Sequence, residues 1–273
     1  LFPLTRPELF RNSWSGEKQL QQARLMIDIY SVAKILFFNS EHTSREFDGY
    51  FGAKWHGWPG KKMVLGPERI LKHLKLSEAD NGDIGALSQM ERKPELRVLF
   101  VGGLNRRKNL AVVIEALGTN HPFVRRIKLE IVAPKGSIPS PELVRALDKM
   151  PAERRAELRF YDQVTDAQLL RLYELTDVVV VPSIAEGLGL PVLEALEFGK
   201  PVVVSGGSAM SEWAGLGAVH IVNGSRPEEW RDKLEQIYRE GSFCGTHPNL
   251  SRRYLDELGR QLRASLKIQP PRV

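Results

Sequence analysis

Pro182-Ser-Ile-Ala-Glu186-Gly-Leu-Gly-Leu-Pro191-Val-Leu-Glu194-Ala-Leu-Glu-Phe-Gly199 is the stretch that decides the fold of this chain. Four valines at 178–181 run into it. A short, unbroken apolar run of this kind is how a strand buried on both faces of a parallel sheet reads. A loop with two glycines follows. Pro191 then sits where a helix begins, a position at which its missing N–H is not needed. Gly199 stands where such a helix stops. Strand, glycine loop and helix make one unit of an alternating α/β chain.

The same stretch carries chemistry. Gly187 and Gly189 would let backbone N–H groups come close to a ligand. The helix N-terminus behind them attracts anions through unpaired N–H groups and its dipole. Gly187, Leu188, Gly189 and Leu190 thus form a candidate seat for a diphosphate. Glu186 projects from the loop ahead of the helix, and Glu194 lies on its first turns. Two carboxylates so placed can reach opposite ends of a nucleotide sugar and accept hydrogen bonds from its hydroxyls. On the residues alone, an acidic loop residue and a glutamate favoured by the helix dipole explain the pair equally well.

The rhythm repeats from residue 97 onward. Strands are expected over 97–103, 128–134, 158–164, 177–183, 201–207 and 218–224, and helices over 108–117, 140–150, 166–176, 190–198 and 208–216. Two further helices are expected over 227–240 and 250–265. Asp166 reads as the N-cap of its helix, with Leu169, Leu170 and Tyr173 on the apolar face. Strands alternating with helices of this length predict a doubly wound parallel sheet, whose ligands bind at the carboxyl ends of the strands. The first of those ends carries Gly102-Gly103-Leu-Asn-Arg106-Arg107-Lys108-Asn109. The glycines permit a tight turn, and two cations beside a pyrophosphate would stabilise a leaving group as charge develops on it. Taken in isolation, the basic run is as readily a surface patch.

The first 75 residues read as something else: a helix over 16–33, a strand over 34–40, a helix over 43–51 and a short strand over 61–65. That is too little for an independent core. The organisation expected is therefore a remainder of one domain (1–75), a polar linker (76–95), a nucleotide-sugar-binding Rossmann-like domain (96–245) and a C-terminal helix and tail (246–273).

Composition narrows the class. Of the 273 residues 42% are hydrophobic and 26% charged, a globular balance, with no apolar run near the roughly 20 residues that span a bilayer. Residues 1–10 do not read as a signal peptide. The single cysteine, Cys244, excludes an internal disulfide framework and fits a cytoplasmic setting. The net charge of +6 comes from scattered basic residues without interleaved aromatics, so nucleic acid is not expected. There is no Asp-x-Asp and no Cys/His cluster of zinc spacing, so no metal and no resident cofactor are expected.

Together these stretches resemble family 4 of the retaining glycosyltransferases, of the two-Rossmann-domain (GT-B) type, notably its mannosyltransferase-like branch. The resemblance runs from Arg97 to about Tyr238. Glu186 and Glu194, with seven residues between them in the quoted stretch, match that family's acidic signature, and the segment from Gly102 to Asn109 looks like its diphosphate-binding Arg-Lys segment. Gly103 stands where many members carry an arginine. The segment from Tyr161 to Leu169 resembles the family's base-binding turn, in which Val164 would meet the base through its backbone. Asp166 would either recognise guanine or only cap its helix. Ser208-Ala-Met-Ser-Glu212 resembles the loop that faces the sugar and ends in a structural glutamate. Pro3-Leu4 through Pro7-Glu8 and Phe38-Asn-Ser40 resemble the final part of the acceptor domain, which implies that its start, with a His-Asp motif, is missing.

What the resemblance implies is a retaining transferase that moves a hexose, by likeness mannose, from a nucleoside-diphosphate sugar such as GDP-mannose to a saccharide or lipid-linked acceptor. Peripheral association with the inner face of a membrane is compatible with it. Glu186, Arg107 and Lys108 would be catalytic. Gly102, Gly103, Val164, Asp166, the four residues 187–190 and Glu194 would bind the donor. The alternatives are a truncated nucleotide-sugar-binding module without catalysis and, further off, a nucleotide-sugar epimerase.

Overall fold

A computed structural model describes residues 21, 24–25, 28–30, 32–52, 60–67, 69–70, 95–214, 218–241 and 250–266. The sequence readings for residues 1–10, the linker, Cys244 and most of the helix expected over 16–33 lie outside the described residues.

All six strands expected from residue 97 onward are present. They are β3 (Leu96–Val101), β4 (Ile127–Ala133), β5 (Arg159–Asp162), β6 (Val178–Val181), β7 (Val202–Ser205) and β8 (Val219–Val222). They form one wholly parallel sheet in the order β5-β4-β3-β6-β7-β8. A smaller parallel pair, β1 (Ile35–Phe38) with β2 (Lys61–Val64), lies before it, with α1 (Glu41–Phe47) between the two strands. The helices of the larger unit are α2 (Leu110–Leu117), α3 (Pro141–Lys149), α4 (Ala152–Ala156), α5 (Asp166–Leu175), α6 (Leu190–Glu197), α7 (Pro227–Glu240) and α8 (Leu250–Leu266).

The valine runs follow from helices covering both faces of the sheet. Val178 and Val180 enter the core shared with α2, α3 and α7, where Trp230 is fully buried. Val179 and Val181, pointing the other way as alternate residues of a strand must, enter the core shared with α5, α6 and α8, which holds Trp213 and Tyr254. Leu65 and Ile70 of the first unit pack into this second core. The first unit keeps a small cluster of its own around Leu36, Phe38, Phe47 and Phe51, with Tyr30 edge-on to Phe47 at 5.2 Å.

Several local expectations need correction. Thr165, not Asp166, caps α5: its hydroxyl accepts the amide of Gln168, whose side chain accepts the amide of Thr165. This capping box satisfies two orphan donors at once, and Asp166 becomes the first helical residue, exposed. On the same helix Leu170 is 51% exposed while Leu172 is 8% exposed, so the apolar face is Leu169, Leu172 and Tyr173. Of the helix expected over 208–216, the described residues form a single 3₁₀ turn, Ala209–Trp213, capped by Ser208; residues 215 and 216 lie outside the described residues. The one over 108–117 starts at Leu110, because Asn109 takes a left-handed conformation (φ 51°) after a 3₁₀ turn over Arg106–Lys108. The helix α4 was not foreseen.

Substitutions test the corrected face. Leu172→Ala should lower the unfolding free energy by about 2–5 kcal/mol through the cavity it leaves. Leu170→Ala should stay within about 0.5 kcal/mol. Urea unfolding of both variants measures the difference, and equal losses would restore the first reading of the helix.

Candidate functional site

The strand order places the two informative stretches side by side. β3 and β6 are neighbours, yet the strands that follow each of them lie on opposite sides, β4 and β5 one way, β7 and β8 the other. A cleft therefore opens at the carboxyl ends of β3 and β6. The loops that border it are 102–109 and 182–189.

The first loop is held by its own asparagines. Asn105 accepts the amide of Lys108 through its side chain at 3.3 Å. Asn109 turns the chain into α2 and donates its side-chain amide to the Gly224 carbonyl, beyond β8, at 2.8 Å. Gly102 has no side chain where the Lys108 stem passes, since a Cβ there would lie 3.3 Å from Lys108 Cε. Gly103 faces the Asn105 side chain in the same way.

The two loops are joined directly. The Ile184 amide donates to the Arg107 carbonyl at 2.9 Å. The Arg107 guanidinium donates to the Ala185 carbonyl at 2.9 Å and lies 3.0 Å from Glu186 Oε1. Lys108 Nζ forms an ion pair with that same oxygen, and the Ser183 hydroxyl donates to it at 3.0 Å. Glu186 is 9% exposed. Burial alone would raise its carboxyl, but Lys108 and Arg107, with hydrogen bonds from Lys108 and Ser183, hold it below the usual carboxylate range. Two cations and one anion leave an excess of positive charge at the mouth of the cleft.

Beside this cluster runs the glycine loop. Among the described residues, the backbone N–H groups of Gly187, Leu188, Gly189 and Leu190 enter no hydrogen bond. Gly189 is the N-cap of α6 at φ 82°, and a Cβ there would overlap the sulfur of Met210. A side chain is excluded by both backbone conformation and space. Gly187 is crossed by Asn39, whose Nδ2 would stand 2.9 Å from an added Cβ. Leu188 gives its carbonyl to the Trp213 indole at 2.8 Å, and Leu190 is exposed. Glu194, half-buried on α6, accepts the Tyr173 hydroxyl at 2.6 Å. Burial and the nearby Glu194 push that hydroxyl well up, so it stays a donor.

Arg107, Lys108, Glu186, Gly102 and Gly103 are thus brought together, with residues 187–190 next to them. Val164 and Asp166 are not. They lie at the carboxyl end of β5, two strands out from β3, and make no ion pair or hydrogen bond to the cluster among the described residues. Gln163 before them holds a left-handed conformation (φ 62°). Sequence reading missed Ser183, although its place at the strand end three residues before Glu186 was a usable signal. It places Tyr173 only on the apolar face of its helix, and Asn39 and Met210 only within the segments 38–40 and 208–212; their contacts with Glu194, Gly187 and Gly189 come from tertiary packing. Among the described residues no group of three or more His, Cys, Asp and Glu is arranged to hold a metal ion, and no helix is long and apolar enough to cross a membrane.

The family model described as "Glycosyl transferases group 1" matches residues 88–255. The chain is 27% identical over 180 residues to D-inositol 3-phosphate glycosyltransferase of Paenarthrobacter aurescens (strain TC1), an overlap of 65% of this chain and 44% of that protein. It is 31% identical over 139 residues to the serotype-specific mannosyltransferase WbdA of Escherichia coli, covering 48% of this chain and 16% of WbdA. Among solved structures it superposes on Anabaena HepE in complex with UDP-glucose with a TM-score of 0.62 at 16% identity, over 97% of this chain and 70% of that one. The chain spans less than half the length of these curated relatives.

The charge cluster makes a pH prediction. The lowered Glu186 carboxyl contributes stability that is complete above its ordinary value of 4.5 and is lost as pH falls through the lower folded value. In Glu186→Gln two half-buried cations lose their shared anion, which destabilises. Near neutral pH the native chain should melt higher than this variant, and the gap should close in acid below that ordinary value. A gap that widens in acid would contradict the assignment.

Proposed function

The chain belongs to the group 1 glycosyl transferases, and on that premise we propose that its six-stranded unit is the donor half of a retaining hexosyltransferase. The fold is of the GT-B type. The whole protein would take a nucleoside-diphosphate sugar and pass the sugar to a saccharide or lipid-linked acceptor. With a lipid-linked acceptor, transfer would take place at the inner face of a membrane.

One observation carries the reading: Arg107, Lys108 and Glu186 meet beside unengaged amides at the point where the sheet order reverses. A diphosphate entering that cleft takes over the two cations and the amides of residues 187–190. It thereby releases Glu186 toward the hydroxyls of the sugar. The same cations then stabilise the negative charge that grows on the diphosphate as the sugar leaves, the work a metal ion does elsewhere. Metal independence is therefore part of the proposal. Glu194, with one oxygen on Tyr173, is assigned the ribose. Because Thr165 caps α5, Asp166 stands exposed beside Val164, where a base lying along the carboxyl ends of β4 and β5 would reach it. The name of WbdA favours mannose, and with it GDP-mannose as donor.

Isothermal titration with GDP and with UDP tests donor binding and base preference. Binding should survive EDTA, and a strict magnesium requirement would refute the role given to the cations. Replacing both Arg107 and Lys108 by Ala should weaken binding by several kcal/mol, since each charge-assisted bond contributes about 1.5–3 kcal/mol. Glu186→Gln should leave nucleotide affinity intact or tighter, because it removes the anion that competes for the cations. A marked loss in that variant would put Glu186 on the nucleotide rather than on the sugar.

A further inference from the structure

The 3₁₀ turn Ala209–Trp213 makes three contacts within four residues. Met210, fully buried, lies against Gly189. Trp213, also fully buried, donates its indole N–H to the Leu188 carbonyl at 2.8 Å. Between them Glu212 reaches toward the N-terminal unit. Its Oε1 accepts the His42 amide at 2.8 Å, and its Oε2 accepts the Glu41 amide at 3.1 Å. These are donors of the first turn of α1, which have no partner inside the helix. The Ser40 hydroxyl accepts the Thr43 amide, at 3.0 Å. Gly66, just after β2, leaves room for the carboxylate, since a Cβ there would stand 2.7 Å from Glu212 Oε2.

All three side chains leave one short coil with about three residues to the turn, so a displacement of that backbone carries all of them. We propose that Glu212 is a positioning residue of the donor site: it ties the placement of the N-terminal unit to the backbone at Leu188 and Gly189 through the turn it shares with Met210 and Trp213. This rests on the reading of residues 187–190 as the diphosphate seat. Such coupling runs in both directions. A phosphate on the seat firms the hold on α1, and releasing α1 loosens the seat. Asn39, one residue before the cap Ser40, is carried along, and its carboxamide lies across Gly187.

The test uses the full chain, with GDP and UDP as probes, followed by calorimetry and amide hydrogen exchange. In the native chain the nucleotide should slow exchange at Glu41 and His42 as well as at the seat. Glu212→Ala removes both acceptors. It should weaken the nucleotide about fivefold or more and abolish the response at residues 41 and 42. Glu212→Gln keeps one acceptor oxygen and should fall between; it carries the test if the alanine variant does not fold. A merely structural cap would lower the melting temperature while leaving nucleotide affinity and the exchange response unchanged, and that result would overturn the proposal. Failure of the native chain to bind either nucleotide would refute the donor-site reading and this proposal with it. Native binding with an indifferent Glu212→Ala would refute this proposal alone.

Discussion

Everything at the cleft depends on one topological constraint, the reversal of strand order between β3 and β6. A parallel strand is reached only by a crossover that covers one face of the sheet, and such crossovers share one hand. From β3 the chain winds toward β5 with α2 and α3 on one face; from β6 it winds toward β8 with α6 on the other. The two central loops are thereby sent apart, and the gap between them is a product of winding rather than of any side chain. Only there do a basic loop and an acidic glycine loop, about 80 residues apart, come to exchange a backbone hydrogen bond.

Charge then makes use of that gap. Arg107 and Lys108 are neighbours of like sign, and Glu186 is almost fully enclosed. Neither arrangement would stand without the other, since a buried charge without partners is expensive. Three donors converge on one oxygen of Glu186. The carboxylate thereby balances the two cations and holds them at the carboxyl ends of β3 and β6.

The central strands were legible in the sequence because β3, β6 and β7 are short, largely apolar and run into Gly or Pro, and burial on both faces removes any ambiguity of alternation; the polar outer strand β5 was legible only from the strand–helix rhythm. The pairing of Glu186 with Arg107 and Lys108 was legible only as co-location at strand ends. What failed was local or long-range. Thr165 and Asp166 are both good caps, and only the glutamine three residues after the threonine separates them. Leu170 and Leu172 differ by only two positions on a helix, and the sheet decides which is covered. Tyr173, Asn39 and Glu212 act on partners that no spacing rule connects, since tertiary packing alone brings them into reach.

The valine strands have a consequence for how the chain behaves outside its native state. Val178–Val181 and the valines of β7 are uncharged, β-branched and buried, the composition that stacks readily into intermolecular cross-β ladders when exposed. Asp177 and Pro182 flank the first, and Lys200 and Pro201 precede the second, so each run is bracketed by residues that discourage such stacking. The outer strands carry Arg159, Asp162 and His220, polar groups that blunt an exposed edge. In the native sheet β6 pairs with a strand about 80 residues away in the chain, a contact of long sequence separation that forms slowly, so on partial melting these segments are exposed until it re-forms. Substitutions that weaken the sheet anywhere will therefore register first as lost soluble protein, ahead of any change in what the cleft can hold.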